Sequence, residues 1–154
     1  MNAKIIAVIL MLDLVGAPVC LGQNANRGTW KLNEAKSSIG PGAPKNITVT
    51  YEPAGDDVKV TIDGVDKDGK PTHNEWWGKF DGKDYPVIGD ANSDARSYTK
   101  IDDHALGFNI KKAGRVITSG RIVVSDDGMS RTVTSSGSDS KGKRISSTSV
   151  YDRQ

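Results

Sequence analysis

Cysteine is nearly missing from this chain: one thiol, Cys20, in 154 residues. A lone thiol excludes an intramolecular disulfide framework and any multi-cysteine zinc or iron–sulfur site. Histidine is as scarce, with only His73 and His104, so zinc chemistry lacks ligands and no Ser-His-Asp relay is placed by spacing. Charge of one sign is lacking too. Twenty-one Lys and Arg against 19 Asp and Glu leave a net +2, too weak a field to hold a phosphate backbone, so no nucleic-acid partner is expected. Aromatics make up 6% of the chain, and no Gly-rich phosphate loop is present. Nor is there an apolar run long enough to span a bilayer as a helix. No cofactor, metal or enzymatic activity is expected from this inventory.

The first residues read as a leader rather than as fold. Lys4 precedes the apolar run Ile5-Ile6-Ala7-Val8-Ile9-Leu10-Met11-Leu12, and small and apolar residues follow through Gly22, which is the build of a secretory signal peptide. Asp13 interrupts it; an uncleaved membrane anchor is the competing reading. A lipobox reading of Cys20 fails at Val19, which stands where Gly, Ala or Ser is wanted. Residues 1–22 are therefore read as a signal peptide and 23–154 as one domain, exported to the periplasm or medium with no integral membrane segment after cleavage. Cleavage removes the only cysteine together with Lys4 and Asp13, so the +2 survives and no covalent staple remains. Such a domain holds together by its core and its sheet.

What the chain has in plenty is alternation. Ile47, Val49 and Tyr51 alternate with polar residues, as do Val58, Val60 and Ile62. Turn chemistry recurs at Pro53-Ala54-Gly55-Asp56, Asp66-Lys67-Asp68-Gly69-Lys70, Asp81-Gly82-Lys83, Ala113-Gly114, Asp126-Asp127-Gly128 and Asp139-Ser140-Lys141-Gly142. Strand-like runs lie between them near 28–33, 72–80, 83–87, 95–101, 105–112, 115–125, 130–138 and 143–151. This predicts an all-β, antiparallel, up-and-down meander barrel of about eight to ten strands, an even number because an odd one forces a parallel seam. Asn33–Lys45, with its Gly40-Pro41-Gly42-Ala43-Pro44 core, reads as a loop or lid over one end.

Gly28-Thr29-Trp30 opens the first strand, and this Gly-x-Trp resembles the signature of the lipocalin and calycin barrels. The resemblance implies that Trp30 plugs the closed end and that an arginine near the end of the last strand packs over it: Arg153, with Arg144 the weaker match. The wider run Gly28–Asn33, with Asp81–Val87 and Val150-Tyr151, also resembles a family of small exported bacterial proteins of uncharacterised function. The departures from typical lipocalins are the missing disulfide and the missing C-terminal helix.

A lipocalin-like barrel holds one small ligand or fills itself with side chains. The apolar phase of the strands predicts an interior of Trp30, Leu32, Ile47, Val49, Tyr51, Val58, Val60, Ile62, Trp76, Phe80, Leu106, Phe108 and Ile110. In 115–125, Ile117 and Val123 compete in phase with Val116, Ile122 and Val124. The last two strands place Val133, Ser135 and Gly137, then Ile145, Ser147 and Ser149, on the inward phase, and small groups there leave volume. The expected function is the binding of a small apolar or amphipathic molecule inside, through Tyr51, Val60, Trp76, Tyr98, Phe108, Ser135 and Ser147. The alternative is a structural, protein- or glycan-binding module with a filled core. Trp77 faces outward there with His73, Glu75 and Lys79, as a surface platform, or beneath the Asn33–Lys45 loop or a neighbouring side chain. Asp63, Asp66 and Asp68 offer oxygens for calcium but lack an EF-hand's later glutamate, and they equally serve as turn residues.

Overall fold

The computed structural model describes residues 24–138 and 141–154. The leader, Cys20 and the Asp139-Ser140 half of one turn lie outside the described residues. Ten strands form one closed sheet: β1 (Gly28–Leu32), β2 (Lys45–Ala54), β3 (Asp57–Val65), β4 (Pro71–Gly78), β5 (Tyr85–Ile88), β6 (Ala95–Lys100), β7 (Ala105–Lys112), β8 (Arg115–Val124), β9 (Ser130–Ser138) and β10 (Arg144–Arg153). Each pairs antiparallel with its sequence neighbours, and β10 closes the ring on β1 through Trp30↔Arg153, Lys31↔Asp152 and Leu32↔Tyr151. Among the described residues there is no α-helix, only a 3-10 turn at Glu34–Lys36.

Local chemistry explains the turns. Ala113 and Gly114 both take positive φ, 49° and 74°, the mirror-image two-residue turn whose twist matches the flanking strands β7 and β8. Asp66 Oδ1 accepts the amides of Asp68 and Lys70, and the bond from Lys70 is the main reason its carboxyl titrates below the ordinary value. That is the backbone role of an aspartate turn.

The phase conflict in β8 has a physical source. Ile110 pairs with Thr118 and Lys111 with Val116, so Ile117 is an extra residue, a β-bulge. Beyond it the register carries Thr118, Gly120, Ile122 and Val124 into line with the inward Phe108, Val133 and Arg131, leaving Val116 and Val123 outside and exposed.

The core is built from Trp30, Leu32, Val49, Tyr51, Val60, Ile62, Trp76, Tyr98, Leu106, Ile122, Val124 and Tyr151, all buried. Loops 33–44, 66–70, 89–94 and 113–114 and residues 141–143 ring one end of the barrel, and both described termini lie at the other. The 33–44 loop follows β10: Ser38 bridges Thr148, Gly40 donates to Ser147 Oγ at 3.0 Å, and Ile39 packs on the core.

Glycine matters where strands meet side chains. At Gly78 an added Cβ would fall 2.5 Å from the Tyr85 ring and 2.7 Å from Trp76, whereas at Gly107 its nearest neighbour is Ile101 at 3.7 Å. Urea unfolding is expected to show Gly78→Ala destabilised by about 1–3 kcal/mol through overpacking. Gly107→Ala should gain about 0.5 kcal/mol from lost unfolded-state freedom.

Candidate functional site

Trp30 and Arg153 meet at the barrel end that holds both described termini. Trp30 is fully buried on β1 and donates Nε1–H to Asn26 O at 2.8 Å. The Arg153 guanidinium lies 4.2 Å from the Trp30 ring centroid, near enough for a cation–π contact. It donates from Nε to Gly128 O at 2.6 Å, from Nη2 to Ala25 O at 2.7 Å and from Nη1 to Arg27 O. Gly28 takes φ 110°, and a Cβ there would stand 2.9 Å from Arg153 Nη1. Arg144 lies on the far part of β10, bonded to Ser136 Oγ at 3.0 Å. Around Arg153 the outer surface holds an open depression of about 450 Å³ lined by Asn24, Asp127 and Met129.

Inside, the seven candidate ligand residues divide into two groups. Tyr51, Val60, Trp76 and Tyr98 are buried and pack as a solid floor. Tyr98 meets Trp76 edge-on at 4.9 Å and Phe80 at 5.6 Å, with Tyr51 6.5 Å away. Trp76 Nε1 donates to Arg96 O at 2.9 Å, so its polar edge is satisfied. Phe108, Ser135 and Ser147 form the other group. They share the inward register with Gly120, along Tyr98↔Phe108↔Gly120↔Ser135↔Ser147, yet remain partly accessible. A shallow concavity of about 270 Å³ between Val116–Ser119, Ser136–Ser138 and Arg144 lies on the outer face near the same rim, where Arg144 meets Ser136, and none of Phe108, Ser135 and Ser147 lines it.

The inward phase also holds two charged residues outside the apolar set named above. Arg131 shares the inward phase of Val133 and Ser135, and Arg96 that of Tyr98. Arg131 is 2% exposed and Arg96 4%. The Arg131 guanidinium is caged by Trp30 at 5.0 Å, Tyr51 at 5.0 Å and Tyr151 at 4.8 Å, and its Nε and Nη1 have no acceptor. Arg96 gives Nη2 to Asn74 Oδ1 at 3.3 Å, while its Nε and Nη1 are likewise without an acceptor. Among the described residues no Asp or Glu is buried. Burial pushes the Tyr51 phenol well above its ordinary pKa; Tyr98 adds to the rise and Arg131 draws part of it back. Burial raises Tyr151 as well, again opposed by Arg131. Both phenols are therefore neutral at pH 7, and the interior carries positive charge that nothing beside it balances.

The outer face of β3 and β4 carries a different constellation. Lys59 bonds Glu75 at 2.6 Å and lies 5.0 Å from the centroid of the half-buried Trp77. His73 Nδ1 meets Asp63 Oδ1 at 2.6 Å, and its Nε2 stands 3.9 Å from Glu75. No group of three or more metal-ligating side chains comes together among the described residues.

No family model and no curated protein matches this chain. Solved structures similar to it include EF1p2_mFAP2b bound to DFHBI, 12% identical with a TM-score of 0.49, covering 84% of this chain and 94% of that one. Another is mFAP1, a redesigned β-barrel bound to DFHBI, 18% identical with a TM-score of 0.43 over 84% and 95%. A third is apocrustacyanin C1, 13% identical with a TM-score of 0.42 over 85% of this chain and 62% of that one.

Arg153→Met should remove the plug's hydrogen bonds while keeping its bulk. Chemical denaturation is expected to show a loss of about 2–3 kcal/mol, since three donor bonds and one ring contact go together. A loss below about 0.5 kcal/mol would show that Trp30 closes the end alone.

Proposed function

We propose that this chain is an exported, lipocalin-like barrel that takes a small amphipathic molecule into its open end. The observation that carries this reading is the asymmetry of the inner wall. The β2–β4 side is filled by large buried side chains, whereas Gly120, Val133, Ser135, Gly137, Ser147 and Ser149 line β8–β10 with small groups that water still reaches. A ligand laid along that wall meets Phe108 on one side and serine hydroxyls on the other, the mix of apolar surface and few polar groups typical of small-molecule sites. The Asn33–Lys45 loop, held by Gly40 on Ser147 and by Ser38 on Thr148, covers part of this entrance. Export rests on the leader at residues 1–22, whose removal leaves a chain without thiols suited to an oxidising compartment. The outward Trp77 supports the surface-module reading less well, because the Lys59 ammonium already covers its ring.

Native mass spectrometry of the protein purified from its own producing cells should reveal a small co-purifying mass. The neutral dye N-phenyl-1-naphthylamine should gain fluorescence on binding, and Ser135→Leu, which fills the small wall, should weaken it by about tenfold or more. A protein that carries no bound mass and takes up no dye would contradict the proposal.

A further inference from the structure

Resting on this interior-ligand reading, we infer that the molecule is an anion, and that Arg131 receives its carboxylate, phosphate or sulfonate inside the barrel. A guanidinium stays protonated at any pH a folded protein meets, so burial does not neutralise Arg131. The rings of Trp30, Tyr51 and Tyr151 soften the loss of water around it, but they bring no net negative charge. The two phenols nearest it are neutral, as phenols are at neutral pH, and burial raises the pKa of both further. Every carboxylate of the described residues lies at least partly in water, and two of the three Arg131 nitrogens lack an acceptor. A buried cation left in this condition weakens a fold relative to an apolar residue of similar size. Arg131 occupies a place where Met or Leu would complete the core between Val124 and Tyr151.

Position adds to chemistry. β9 begins at Ser130, straight after the closed-end turn, so Arg131 stands deep in the barrel, above the Trp30 plug and below the small wall of Val133 and Ser135. An amphipathic anion entering from the open end would place its charged group deep and its apolar part along Phe108 and the serine wall. Arg96 is the second unbalanced cation. It lies across the aromatic floor, reached from Arg131 through Tyr51, Tyr98 and Trp76, and two of its nitrogens likewise lack an acceptor. The whole-chain charge is only +2, so selectivity for an anion must come from these interior groups.

The test compares two dyes that differ by one sulfonate: neutral N-phenyl-1-naphthylamine and anionic 8-anilinonaphthalene-1-sulfonate. Wild-type protein should bind the sulfonate at least about tenfold tighter, as a charge-assisted hydrogen bond in a dry site allows. In Arg131→Met that ratio should fall to near one while the melting temperature of the dye-free protein rises. Arg131→Gln carries the same expectation for the ratio should the Met variant fold poorly. Equal binding of the two dyes by wild type, with the neutral dye bound, overturns the anion inference and leaves the interior-ligand reading standing. Uptake of neither dye overturns both. A sulfonate preference that persists in both variants, or a lower melting temperature with an unchanged ratio, assigns Arg131 a structural role only and overturns the inference.

Discussion

Closure of the ring is the constraint on which everything else depends. Three residue pairs join β1 to β10, and the seam is extended by Asn33 Nδ2 on Asp152 Oδ2 at 2.7 Å and by the Ser38–Thr148 bridge. Because no disulfide is available, these hydrogen bonds and the Arg153–Trp30 stack hold the first and last strands together. A closed sheet has no edges and divides the chain's side chains into two media. Carboxylates fall outside with lysines beside them, as at Lys59–Glu75 and Lys111–Asp84. Arg131 and Arg96 fall inside with no counter-charge, a condition that an open sheet, wetted on one face, would not impose.

Within that enclosure packing and polarity are distributed unevenly. Trp76, Tyr98, Tyr51 and Phe80 interlock at ring separations of 4.9–6.5 Å, a rigid floor that resists rearrangement. The facing wall is built from serine and glycine, and two of its glycines are forced by the backbone. A Cβ at Gly120 would strike Thr134 O at 2.3 Å, and one at Gly137 would strike Ile117 O at 2.6 Å. The thinness of this wall is thus partly a demand of strand packing near the bulge, and at Gly120 the Phe108 ring, which a Cβ would meet at 2.4 Å, lies directly against it.

Much of this was legible in the alternation and the turns, because period-2 patterning and Asp-Gly chemistry act locally and leave direct marks. All ten strands fall on runs read from the chain, and ten is the upper end of the expected range. β8 resisted because a bulge is a pairing event: nothing in Arg115–Val124 alone tells that Ile117 is the extra residue. Arg131 and Arg96 escaped for another reason. Reading inward positions by apolarity discards a charged residue in the inward phase, though that is where an exception carries most information. Their phase was visible beside Val133 and Tyr98; that no carboxylate meets them is visible only in three dimensions.

On the proposed reading, the barrel encloses an anion whose charge Arg131 balances. A crystal structure of the protein isolated from its own producing cells, without refolding, tests it most directly. Continuous density is expected within the barrel, with oxygen atoms in hydrogen-bond reach of Arg131 Nε or Nη1 and an apolar portion along Phe108 and Ser135. A barrel whose interior holds only water around Arg131, or whose bound molecule turns an apolar end toward it, would contradict the claim.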